Sequence, residues 1–101
     1  MELILLLRAE ADALRIYAKY EALREGRGEL FVAALEKALG QLRTFPESAP
    51  TLRAPFRRLL VRRFPYGVVY AVEGGRVIVY SVAPLGQDPK TLLAILDEPG
   101  S

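Results

Sequence analysis

The chain has no cysteine, no histidine and no tryptophan, and only one methionine. Without thiols there can be no disulfide framework, no thiolate metal site and no cysteine nucleophile. Without imidazole there is no Ser–His pair and no histidine general base. No metal and no cofactor is implied by the residues present. Long aliphatic runs are also missing. None is longer than Leu3–Leu7, which falls well short of the roughly 20 residues of a membrane span and of a signal-peptide core. A cytoplasmic location is expected, with no membrane partner. What remains is the composition of a folded protein, with 51% apolar and 26% charged residues. At 101 residues it is expected to form one domain, spanning 1–101.

Acidic residues are missing from one stretch. Residues 1–50 hold 7 Lys/Arg against 8 Asp/Glu, and residues 68–101 hold 2 against 4. Residues 51–67 hold five arginines (Arg53, Arg57, Arg58, Arg62 and Arg63) and no acid. A near-neutral chain thus carries one concentrated basic segment. It reads either as a charged strand edge that resists aggregation or as an anion-binding surface for nucleic acid or an acidic protein.

Periodicity orders the elements. Glu2–Leu7 is short and aliphatic and reads as a strand. From Ala9 an amphipathic helix is predicted, with Ala11, Leu14, Ala18 and Ala22 as its apolar side. Asp12 reads as a helix-start charge that suits the dipole. Gly26-Arg27-Gly28 ends this helix. A second follows, with the clearest 3.6-residue stripe of the chain: Phe31, Ala34, Leu35, Ala38, Leu39 and Leu42. Gly40 within it suggests close packing on the first helix. Phe45-Pro46 closes it, because the residue before proline disfavours the helical region.

Glu47–Pro55 reads as a loop, and three strands follow: Phe56–Phe64, Tyr66–Val72 and Arg76–Val82. Pro65-Tyr66-Gly67 is the expected turn between the first pair, and Gly74-Gly75 the tight hairpin between the second. Pro84–Pro89 is loop, and Lys90–Leu96 is a short helical tail with Leu92, Leu93 and Leu96 on its apolar side. The fold expected is α+β: an N-terminal strand, then an antiparallel helical hairpin packed on a small antiparallel sheet, in the order β-α-α-β-β-β with a C-terminal helical tail. The second sheet face is left open or covered only by the tail.

These pieces, in this order and spacing, resemble the RelE/ParE toxin superfamily of type II toxin–antitoxin systems over roughly residues 9–89. They are Ala9-Glu10-Ala11-Asp12, the helix end Leu42-Arg43-Thr44-Phe45-Pro46-Glu47-Ser48, the basic run Arg57 to Tyr66, then Val69-Tyr70 and Val77 to Val82. The long hairpin is more similar to the ParE branch. The resemblance implies a toxin that binds a protein target such as DNA gyrase and is neutralised by a cognate antitoxin. A homodimer or a toxin–antitoxin hetero-oligomer fits it. The alternative it implies is a RelE-type endoribonuclease acting on ribosome-bound mRNA. A further alternative is a non-toxic binding module that retains the fold.

Departures from the family pattern count against the nuclease. Where many relatives carry a His and a basic pair before Asp-Pro, this chain has Pro84, Gly86 and Gln87 before Asp88-Pro89. Only Lys19, Lys37 and Lys90 are lysines, none of them in the basic strand, and arginine is a poor proton shuttle. Tyr66, Tyr80 and Arg62 are the only weak catalytic candidates. The expected partner surface is Arg53, Arg57, Arg58, Arg62, Arg63 and Tyr66 on the basic strand and its sheet face, although alternation would send adjacent arginines to opposite faces.

Overall fold

The computed structural model describes residues 1–96. Strand β1 (Leu3–Leu5) leads directly into helix α1 (Leu7–Leu23), and a turn over 24–26 leads to helix α2 (Arg27–Thr44). Strands β2 (Thr51–Arg53), β3 (Phe56–Leu60), β4 (Tyr66–Glu73) and β5 (Arg76–Pro84) follow, then helix α3 (Pro89–Leu96). The sheet order is β1-β5-β4-β3-β2. β1 joins the edge parallel to β5, with Leu3 opposite Val77, and the remaining pairs are antiparallel. The α+β architecture is the one expected, with one strand more.

That strand, β2, lies in the segment expected to be loop. Pro50 and Pro55 confine it to three residues, and an edge position tolerates flanking prolines. The basic strand is shorter than expected. β3 stops at Leu60 because Val61 turns into the core, where it is 1% exposed. β4 begins at Tyr66, the expected start of the strand, so Tyr66 and Gly67 belong to the strand and not to the turn that precedes it.

The hairpin buries its apolar side on one sheet face. From α2 come Phe31, Leu35, Leu39 and Leu42, all within the core that includes Val68, Tyr70, Val77 and Val79. Side chains of this size each contribute about 1.5–3 kcal/mol on full burial. α1 departs from expectation. It buries Ala9, Asp12, Ile16 and Tyr20, and leaves Leu14 69% exposed, with Ala11, Ala18 and Ala22 also facing solvent. Small alanines gain little from burial, so Ile16 and Tyr20 decide the rotation of the helix. Gly40 also differs, since a Cβ there would meet nothing within 4 Å. The close approach is at Gly28, where a Cβ would lie 2.7 Å from the Tyr17 carbonyl oxygen. The Gly28 N–H donates to Glu21 Oε1 at 2.8 Å and ties the two helices together. On the second face, α3 lays Leu92, Leu93 and Leu96 over Val69 and Ala83, with Leu52, Phe56 and Tyr80 around them. That face is a second small core.

Asp12 is not a solvated helix-start charge. β5 carries a bulge: Val69 pairs with Ser81 and Tyr70 with Val79, which leaves Tyr80 as the extra residue. Asp12 Oδ2 accepts from Ser81 Oγ at 2.8 Å and from the Val82 N–H at 3.0 Å, while Oδ1 accepts from Arg15 at 2.9 Å. The carboxylate satisfies the backbone where the bulge disturbs it. Asp12→Ala is expected to cost roughly 2–4 kcal/mol by stranding those buried donors, and Ser81→Ala about 1 kcal/mol. Urea unfolding of both variants measures the difference; equal costs would show that the bulge does not depend on Asp12.

Candidate functional site: a cationic groove between α2 and the β3–β4 turn

The turn that follows β3 is built around two apolar anchors. Val61 is buried, and Phe64 packs edge-on against Tyr20 and Phe31, with ring centroids 5.1 and 5.4 Å apart. The Phe64 N–H donates to the Val61 carbonyl at 3.2 Å and the Val61 N–H to the Tyr66 carbonyl at 2.9 Å, closing a tight turn. Arg62 and Arg63 lie between the anchors and are exposed. Arg63 adopts φ 71°, the left-handed region that tight turns usually give to glycine. An arginine held there costs about 1–2 kcal/mol of backbone strain.

Across from this turn runs one side of α2. Together they enclose a groove of about 690 Å³. Arg27, Leu30, Ala33, Ala34, Lys37, Ala38 and Gln41 line it from the helix, and Leu60, Arg62, Arg63 and Phe64 from the opposite wall. Arg27 to Gln41 spans about 21 Å at the helical rise of ~1.5 Å per residue. Four cations and no acid line it. Among the described residues none of the four cations is in an ion pair. The floor is apolar and made largely of small side chains. Such a surface can attract an anionic partner and bury part of its apolar surface.

The structure divides the basic cluster. Arg57 points to the inner side, where its Nη1 donates to the carbonyls of Ala49 (2.7 Å) and Glu47 (3.3 Å) and fastens the loop after α2. Arg58 lays its aliphatic stem over Gly67, where a Cβ would come within 2.7 Å of it. Arg53 is exposed on the edge strand β2. Only Arg62 and Arg63 reach the groove. The five arginines therefore do not share one surface, in keeping with the alternation of side chains along a strand. Lys37 corrects a second expectation: it is distant from the basic strand in sequence but lines the same groove as Arg62 and Arg63. Arg27 and Lys37 were not singled out by sequence reasoning. The available signal was their spacing with Leu30, Ala34 and Gln41 along one side of a helix.

Neither tyrosine candidate lies in the groove. Tyr66 is buried in the aromatic cluster, where Lys19 Nζ donates to its hydroxyl at 3.3 Å, so its ring is not free to stack on a partner. Tyr80 lies on the α3 side, edge-on to Phe56 with centroids 5.1 Å apart, and its hydroxyl donates to the Glu73 carboxylate. Burial, then that hydrogen bond and the negative charge of Glu73, push its pKa up to about 12. A phenol so held is a poor base near neutrality. Among the described residues no group of three or more acidic, His or Cys side chains could hold a metal ion. No described helix is long and apolar enough to cross a membrane.

An α+β fold with a helical hairpin on one sheet face, a short helix on the other and a cationic groove beside the hairpin is the setting for the comparisons with known proteins. The chain belongs to the ParE toxin family: the family model described as ParE toxin of type II toxin-antitoxin system, parDE, matches residues 3–89. A solved structure titled "Chromosomal ParDE TA system from P. aeruginosa" is similar in fold, with a TM-score of 0.75 and 20% identity over 83% of this chain and 95% of that one. No curated protein matches the sequence.

Two outcomes test this geometry. Arg63→Gly should relieve the left-handed strain and, after the extra chain entropy of glycine, raise stability by roughly 0.5–1 kcal/mol; a loss of stability would mean that the Arg63 side chain is held by contacts that outweigh the strain. For Tyr80, the unfolded phenol releases its proton near pH 10, while the folded one keeps it to about 12. The unfolded state binds fewer protons in that window, so the stability it contributes is full below pH 10 and is lost as pH rises toward 12. Tyr80→Phe should flatten that fall in urea titrations and remove one late phenolate transition at 295 nm.

Proposed function

We propose that this chain is a type II toxin that acts by binding a protein target in the cytoplasm, with DNA gyrase as the target the family implies, and that a cognate antitoxin neutralises it. The observation that carries this reading is the groove: four cations, in no ion pair among the described residues, stand over an apolar floor and form a surface suited to binding. Arg27, Lys37, Arg62 and Arg63 are its proposed partner-contacting residues. Of the three nuclease candidates, only Arg62 lines the groove. Histidine is missing from the chain, and both tyrosine candidates lie elsewhere. A RelE-type endoribonuclease is kept as a second reading because Lys37 stands in the groove with Arg62 and Arg63 and supplies an amine that could move a proton.

Induced expression separates the two. Plasmid supercoiling should fall while translated messages stay intact, and co-expression of an acidic antitoxin should restore growth. Codon-specific cuts in primer-extension maps, abolished by Lys37→Ala or Arg62→Ala, would establish the nuclease instead.

A further inference from the structure

We propose that the chain pairs with a second copy of itself through the outer side of α1, the two helices lying side by side and parallel about a two-fold axis. The contact uses none of the residues that line the groove, so it goes beyond the reading of that groove and does not rest on it.

The first observation is an apolar seam with nothing over it. Ile16 is part of the core, and Leu7 stands about two and a half helical turns from it, on the side turned away from the core. Leu7 is 83% exposed and Leu14 69% exposed, and Ala11 and Ala18 on the same side are exposed as well. The positions 7, 11, 14 and 18 alternate steps of four and three, the a/d repeat of a two-stranded coiled coil, with the leucines at d and the alanines at a. Single exposed leucines are ordinary. Here the buried side of α1 is already filled by Ala9, Asp12, Ile16 and Tyr20, so the helix carries a second apolar side opposite the first. Glu21, next along the seam, accepts from the Gly28 N–H and is drawn toward α2. The seam therefore runs from Leu7 to Ala18, about 17 Å.

The second observation selects the occupant and its direction. Glu10 and Arg15 are exposed on opposite flanks of the seam, at positions g and e. In a parallel pair a g residue meets the e residue five positions further along the other helix, and such pairs set partner choice and orientation. Glu10 of each copy thus meets the partner's Arg15, giving two ion pairs from one pattern. Within the chain the Glu10 carboxylate is in no ion pair among the described residues. Arg15 gives one Nη2 bond to Asp12 and keeps further guanidinium donors. An antiparallel pair would set Arg8 against the partner's Arg15 and leave Glu10 without a cation. The leucine and alanine layers fit either direction, so the charges decide. A partner of different sequence would not call for a side that complements itself, whereas a two-fold contact between identical chains does. So short a seam lies at the low end of interface sizes, and the pairing is weak and reversible.

Sedimentation equilibrium of the full chain tests this. The weight-average mass should rise from 11.2 kDa toward twice that value as the chain is concentrated from about 5 to about 500 μM. Leu14→Glu should hold it at the monomer mass, while Leu60→Glu, at another exposed leucine on the wall of the groove, leaves the rise unchanged. The charges give a sharper readout. Glu10→Arg and Arg15→Glu should each weaken self-association at least tenfold, and an equimolar mixture of the two variants should restore it, because each flank of the mixed pair again joins an acid to a base. Leu7→Cys, in a chain otherwise free of thiols, should be converted to a disulfide-linked dimer by oxidised glutathione, since the parallel arrangement sets the two copies of position 7 face to face. Thermal melts confirm that each variant is folded.

A mass that stays at 11.2 kDa at about 500 μM would overturn the inference. So would self-association that survives Leu14→Glu, because the contact would then lie elsewhere. Variants at positions 10 and 15 that fail to associate when mixed, or an Arg15→Glu chain that associates more tightly than the unaltered one, would point to an antiparallel pair and overturn the parallel one. A chain that inhibits growth yet remains a monomer overturns this inference alone. A chain that pairs as described but inhibits nothing overturns the toxin reading alone.

Discussion

One buried carboxylate holds the two layers of this protein in register. Asp12 sits on the sheet-facing side of α1 and receives the hydroxyl and the N–H that the β5 bulge presents at Ser81 and Val82. A carboxylate removed from water is costly unless its oxygens are occupied, and here the two oxygens take three donors. The clasp shares the buried side of α1 with Ile16 and Tyr20, and together they hold the helix in the rotation that faces Tyr20 inward. Tyr20 meets Phe31 of α2 and Phe64 of the β3–β4 turn. Through Phe64 the turn is pinned, and the pinned turn presents Arg62 and Arg63 to α2. The groove thus stands at the end of a chain of contacts that begins on the other helix.

The same carboxylate explains where the sequence was hard to read. The stripe of α2 was legible because its buried positions are large and aliphatic or aromatic: Phe31, Leu35, Leu39 and Leu42 leave no competing face. In α1 the buried face includes an acid, while the solvent face carries Leu14 and several alanines. A hydrophobicity pattern alone chooses the wrong side there, since it cannot know that a strand bulge will supply partners for Asp12. β2 escaped notice because its pairing is made by the neighbouring strand and not by its own three residues. The hairpin at Gly74-Gly75 and the proline-bounded end of α2 were visible because their signals are local.

The candidate site was only half legible for a related reason. Five arginines without an acid form a conspicuous feature of the sequence, but adjacency in the chain is not adjacency in space. Arg57 is committed to the carbonyls of Ala49 and Glu47, and Arg58 covers Gly67. The cations that complete the groove, Arg27 and Lys37, come from a helix of mixed charge where they look like ordinary solvated residues. The second sheet face, expected to be open or covered only by the tail, is covered by the leucines of α3. The concave surface moved to the side of the sheet, where a helix and a turn meet.

The parallel pairing of β1 with β5 bears on the order of assembly. Leu3 lies opposite Val77 and Leu5 opposite Val79, so the first strand made waits for the last. During synthesis the helices can form early, because their contacts are local, but β1 has no sheet to join until β5 has emerged. Closing so long a loop is slow relative to forming the β4–β5 hairpin, whose strands are neighbours in sequence. The edge of the finished sheet is therefore a late event, and the face that α1 and α2 cover is completed only when nearly all of the described chain is present.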